Sequence, residues 1–95
     1  MRLSWSAAAA EDLLRSIQYI RQENPVAAER IAGTIQESAG SLKSLPHKGR
    51  TGRVVEGTRE LPLPPLPFVV VYRVLKDLVE VANVVHGAQK WPLEE

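Results

Sequence analysis

Cysteine is absent from these 95 residues, which excludes disulfides and thiolate metal sites and is compatible with a reducing compartment. Histidine is scarce. His47 and His86 are the only two, and two isolated histidines without neighbouring acidic ligands make a poor metal site. Glycines 49, 52 and 57 precede no helical pattern, so no phosphate-cradling glycine loop is present. Neither a metal nor a cofactor is expected. No apolar run is long enough to cross a bilayer: the stretch from Leu61 to Tyr72 is short and carries four prolines. Glu11 and Asp12 interrupt the early alanines, so no signal peptide is expected. A cytoplasmic location without membrane contact follows as the expectation.

What remains is a globular composition, 44% hydrophobic and 24% charged, in a chain whose length suits one domain over residues 1–95. A chain of this size buries only about 60–65% of the surface its unfolded form exposes, so its core is modest. The net charge of +1 is unevenly distributed. Residues 43–59 hold Lys43, Lys48, Arg50, Arg53 and Arg59 against Glu56 alone, a local excess of +4, whereas the segments before and after are slightly acidic. Concentrated positive charge of this kind suits contact with an anionic macromolecule.

Leu3 and Trp5 alternate with polar neighbours, as in a short strand buried on one face. Ser6 is a natural N-cap, and Ala10, Leu13, Leu14, Ile17 and Ile20 then form one stripe of a helix ending near Glu23. Glu11 and Asp12 fall in its early turns, where acids suit the helix dipole. Asn24-Pro25 divides this helix from the next, because proline fits a first helical position while its predecessor avoids the helical region. Ala28, Ile31, Ala32, Ile35, Ala39, Leu42 and Leu45 mark the second apolar face. Gly33 and Gly40 weaken that helix and suggest close approach of the first one.

Pro46 ends the helical half, and the glycine-rich basic stretch to Gly57 reads as a loop or short ribbon. Thr58 to Leu63 suits a strand whose pairing is limited by Pro62, Pro64, Pro65 and Pro67. Phe68 to Leu75 and Leu78 to Val85 read as a hairpin turning at Lys76-Asp77. The order β-α-α-β-β-β predicts an α+β domain: a small antiparallel sheet packed against an N-terminal antiparallel helical hairpin.

Among residues able to carry chemistry, His86 stands first, since imidazole titrates near neutrality and His86 sits where a strand ends. The plainer reading is that it caps the strand or touches a helix. Lys48, Arg50, Arg53 and Arg59 suit phosphates or partner carboxylates, or else simply solvate a loop. Trp91, beside Lys90, could stack on a base or serve as a binding anchor. It could equally pin the chain end to the body. Tyr72, amid valines, is expected in the core with its hydroxyl at the rim.

Several fragments, in order, resemble the RelE/ParE toxins of bacterial type II toxin–antitoxin pairs. They are Trp5-Ser6 through Asp12-Leu13, Ile17-Gln18-Tyr19-Ile20, and Asn24-Pro25 with Ala27-Ala28. Gly49-Arg50 with Gly52-Arg53, Gly57-Thr58-Arg59-Glu60-Leu61, Val71-Tyr72-Arg73-Val74 and His86-Gly87-Ala88-Gln89 complete the set. The resemblance covers nearly the whole chain. It implies a compact sheet with a helical hairpin and a hetero-oligomer with a ParD-like or RelB-like antitoxin. The implied target is DNA gyrase in the ParE-like branch, or the ribosome and its mRNA in the RelE-like branch.

The RNA-cleaving branch resembles this chain less. It places a basic residue where Val69 stands here, and valine neither stabilises an oxyanion nor moves a proton. It also places an arginine and an aromatic hydroxyl in the C-terminal segment, where this chain has Gln89, Lys90 and Trp91. These departures lead to the expectation of a ParE-like, non-catalytic toxin acting on gyrase. The alternative is a ribosome-dependent endoribonuclease with His86 as base and Arg50, Arg53, Arg59 and Lys90 around the phosphate. In either case the basic segment and the hairpin grooves are expected to form a cationic surface that partners grip.

Overall fold

A computed structural model describes residues 1–52 and 55–87. Strand β1 (Arg2–Trp5) leads into helix α1 (Ala7–Glu23), helix α2 (Pro25–Gly40) and a 3-10 turn (Ser41–Lys43). Four strands follow: β2 (Arg50–Thr51), β3 (Arg59–Pro62), β4 (Phe68–Val74) and β5 (Leu78–His86). Their order across the sheet is β1-β5-β4-β3-β2. The fold is α+β with the helical hairpin on one face, as its sequence predicts. Two details differ: β1 runs parallel to β5, making the sheet mixed, and the two-residue β2 adds an edge strand within the basic segment.

Local chemistry sets the helix boundaries. Ser6 accepts from the Ala9 amide at 3.0 Å, a cap worth about 1 kcal/mol. Asn24 acts at two boundaries: its amide closes α1 on the Ile20 carbonyl, and its side chain caps α2 by accepting from Ala27 at 3.0 Å. Leu45 lies beyond the 3-10 turn and is exposed, so the second apolar stripe ends at Leu42. Nor do the helical glycines admit the neighbouring helix closely, since a Cβ at Gly33 or Gly40 would meet nothing within 4 Å.

Ala9, Ile35, Ala39 and Leu42 from the helical layer pack against Leu61, Leu63, Phe68, Val70, Tyr72, Val79, Val81 and Val84 from the sheet layer. Side chains alternate along a strand, so Phe68, Val70 and Tyr72 face the helices while Val69 and Val71 face away. In β5 the alternation slips. Val71 pairs with Asn83 but Tyr72 pairs with Val81, leaving Ala82 as an extra bulge residue. The slip is why Val79, Val81 and Val84, with unequal spacing, all reach the same core.

The bulge frees backbone groups, and α1 satisfies them. Ser6 Oγ donates to the Ala82 carbonyl at 2.8 Å, and Asp12 Oδ2 accepts from the Val84 amide and from Asn83 Nδ2, both at 3.0 Å. The first turn of α1 holds no acid. Asp12 therefore serves the sheet, where the sequence suggested only the helix dipole. Pro62 sits at the end of β3 opposite Val69, past the reach of β2, where a missing amide blunts an open edge.

Candidate functional site

The basic segment folds into a corner organised by Tyr72. This side chain is fully buried, and its hydroxyl, far from being at the rim, accepts from the Gly49 amide and donates to the Pro46 carbonyl, each at 2.9 Å. Gly49 is required by close approach: a Cβ there would lie 2.7 Å from both the Glu60 carbonyl oxygen and the Tyr72 hydroxyl. Arg59 clasps the same loop, Nη2 donating to the carbonyls of Gly49 at 2.8 Å and His47 at 3.2 Å. Among the described residues, its buried Nε has no hydrogen-bond partner.

Arg50 lies across from Glu60, and Thr51 across from Arg59. Arg50 Nε and Nη2 approach Glu60 Oε1 at 3.1 and 3.0 Å. Glu60 is only 4% exposed, so its charge is screened little by solvent and depends on such partners. Because Arg59 and Glu60 are consecutive in β3, their side chains leave opposite faces of the sheet. Arg50 and Arg59 therefore serve different faces, each engaged within the molecule. Lys48 is exposed, with Nζ 3.5 Å from Ser41 Oγ. Arg50 and Arg59 do not point to one face of the sheet, because the strand pleat divides them. Arg53, Lys90 and Trp91 lie outside the described residues.

His86 occupies a different place. It ends β5 opposite Phe68, and the two rings meet edge to face with centroids 5.3 Å apart. They form one wall of a cleft of about 460 Å³ whose other lining includes Arg15, Tyr19, Ile20, Ile31 and Pro67. Phe68, beside His86, and Tyr72, beside Arg59, are four residue steps apart along β4. That is about 13 Å along the strand and about 10 Å across two strand spacings, or roughly 16 Å between backbones. His86 and Arg59 do not share a site.

A second groove, of about 440 Å³, runs along the outside of the hairpin between Trp5, Ala10, Leu13, Leu14, Ile17 and Ala32. Leu14, on α1's predicted stripe, is 56% exposed there. The stripe is thus split: Leu13, Ile17 and Ile20 are partly or fully buried, while Ala10 and Leu14 stay exposed along the groove. Among the described residues no group of three His, Cys, Asp or Glu could hold a metal ion, and no helix is long and apolar enough to cross a membrane.

Comparison with known proteins places these features in a family. The sequence model of the ParE toxin of the type II toxin–antitoxin system parDE matches residues 3–91. The chain belongs to the ParE toxin family. It is 36% identical over 91 residues to Y4kP of Sinorhizobium fredii, covering 96% of this chain and 93% of that protein. It is 35% identical over 85 residues to toxin RelE2 of Caulobacter vibrioides, covering 90% and 93%. A solved chain from the chromosomal ParDE toxin–antitoxin system of P. aeruginosa superposes with a TM-score of 0.82 at 26% identity, covering 90% of this chain and 95% of that one. Membership of a toxin–antitoxin family implies an antitoxin as partner.

Within this ParE-family toxin, Val69 is half-buried on the sheet face away from the helices, paired with Pro62 and Val85. Sequence reasoning gave no structural role to Glu60 or Gly49, which organise the corner, and gave Asp12 only the helix dipole, whereas it holds the bulge. Gly49-Arg50 followed by Arg59-Glu60 carried a signal for one of them. An acid beside an arginine in a valine-rich hairpin region asks for an ionic partner on a neighbouring strand. Asp12 gave no comparable signal, since its partner is a backbone amide freed by a bulge.

Proposed function

We propose that this toxin arrests growth by binding DNA gyrase, in the ParE-like manner, and is held inactive in a hetero-oligomer with a cognate antitoxin. One observation carries the choice of a binding over a cleaving mode: the register sets the His86 and Arg59 backbones roughly 16 Å apart, while Arg50 and Arg59 are engaged with Glu60 and the loop carbonyls. A phosphodiester transition state needs its base and its cationic stabilisers within one site. Gyrase is favoured over other targets by the ParE family match and by Val69 in place of a basic residue. The antitoxin's apolar anchors fit the hairpin groove beside Leu14, in the mode of a helix or extended segment laid into a groove.

A supercoiling assay and a cell-free translation assay with the same purified toxin test this. Loss of supercoiling with translation intact is expected. Translation arrest with untouched gyrase contradicts it and selects the second reading, a ribosome-dependent endoribonuclease. One observation favours that alternative: Arg15 lines the same cleft as His86, so a cation does stand near the imidazole.

A further inference from the structure

The cleft between α1 and the β4–β5 end has the size of a small-molecule site. Its volume of about 460 Å³ falls within the roughly 300–1,000 Å³ that such sites span. Ile20, Ile31 and Pro67 give it an apolar lining, and Phe68 and His86, meeting edge to face, give it an aromatic wall. The remaining wall is helical. Arg15 and Tyr19, four residues apart on α1, share one face of the helix, with Ser16 beside them. Ala10 and Leu14 border the other flank of α1, so this cleft is separate from the hairpin groove. We infer that the cleft binds a small organic monoanion, a carboxylate carried on an aromatic ring. The ring lies against Phe68 and His86, and the carboxylate pairs with Arg15.

Charge sets the sign of the ligand. Among the described residues lining the cleft, Arg15 is cationic and none is acidic. Arg15 stands 3.8 Å from Asp12 Oδ1, beyond hydrogen-bond distance, and its side chain is 69% exposed. Asp12 meanwhile commits Oδ2 to the Val84 amide and Asn83. The guanidinium therefore keeps its planar fork of donors for a ligand, and that fork matches the two oxygens of a carboxylate. The apolar lining sets the body of the ligand. Tyr19 is 72% exposed at the lip, and a ring inserted beneath it removes apolar surface of Tyr19, Ile20 and Ile31 from water. Spacing sets the length. Four residues of helix rise about 6 Å, so a ring under Tyr19 and a carboxylate on Arg15 need a spacer of about three carbons. Such a ligand is far smaller than gyrase or an antitoxin segment, and its site does not depend on which target the toxin acts on.

The probe is 4-phenylbutyrate, with its uncharged amide as control, titrated into the full-length toxin and followed by backbone amide chemical shifts. For a ligand of about a dozen heavy atoms, saturable binding with Kd on the order of 0.1–1 mM is expected. The shifts should centre on Ser16, Tyr19, Ile20, Phe68 and His86. The acid should bind about two- to fivefold more tightly than the amide, a modest factor because Arg15 is exposed. Arg15→Gln, a surface change that leaves the core untouched, should erase that preference while the amide binds as before. Ser16→Phe, which fills the cleft from its helical wall, should abolish binding of both, with the helical circular dichroism unchanged. If that variant does not fold, the Arg15→Gln comparison still decides. Absence of saturable shifts up to about 10 mM ligand, well above the expected Kd, would overturn the inference. So would shifts centred on Ala10 and Leu14, which place the ligand in the hairpin groove. Equal affinity for acid and amide would overturn it too, by leaving Arg15 without a part in binding.

Discussion

Tyr72 and Gly49 are joined by a hydrogen bond of 2.9 Å from the Gly49 amide to the buried phenolic oxygen, and through it the basic corner is fixed to the middle of β4. The hydroxyl also donates to Pro46. Tyr72→Phe removes both bonds while keeping the ring. A buried amide left without a partner costs about 1–3 kcal/mol, so urea unfolding should show a loss of that size. Hydrogen exchange should show faster exchange at Gly49, with the amides of α1 unaffected.

Gly49→Ala and Gly33→Ala should move stability in opposite directions. A Cβ at Gly49 meets the Glu60 carbonyl and the Tyr72 hydroxyl at 2.7 Å, so the corner must shift, at a cost of about 1–3 kcal/mol. At Gly33 the space is open and the backbone is helical, so alanine should stabilise by roughly 0.5–1 kcal/mol. Thermal unfolding of the two variants checks the pair.

Asp12 ties α1 to the β5 bulge through the Val84 amide and Asn83. Asp12→Ala leaves that amide unpaired and should cost about 1–3 kcal/mol, whereas Asp12→Asn keeps a side-chain oxygen acceptor and should cost less. Denaturant titration of both variants gives the ordering. Equal losses would contradict the acceptor role.

Leu14 stands 56% exposed on the hairpin groove, so Leu14→Lys should leave folding nearly unchanged. If the antitoxin docks there, its affinity should fall by about 2 kcal/mol, roughly thirtyfold in Kd. Calorimetry with the cognate antitoxin measures this directly. Wild-type affinity in the variant would move the docking site away from this groove.

The fold was readable because its signals are local. Ser6 and Asn24-Pro25 mark helix boundaries by side-chain chemistry, and the valines of β4 and β5 mark a hairpin by composition. The corner was harder to read because its meaning lies in register. The string of residues signals that Glu60 needs an ionic partner, but not the register that brings Arg50 to it across β2 and β3, nor that Arg59 turns inward to two carbonyls. A run of positive charge looks like one surface until the pleat sends consecutive residues to opposite faces. The bulge at Ala82 was hidden for a related reason: a valine-rich strand keeps the same composition whether or not its alternation slips.

The number of targets inactivated per toxin molecule separates binding from cleavage most directly. Purified toxin is titrated against gyrase in a supercoiling assay and against ribosome-bound mRNA, with each target in excess. A toxin acting by occupancy silences at most one gyrase complex per molecule and leaves the mRNA whole. Many mRNA molecules cut by one toxin, with cutting abolished by His86→Ala, would contradict it.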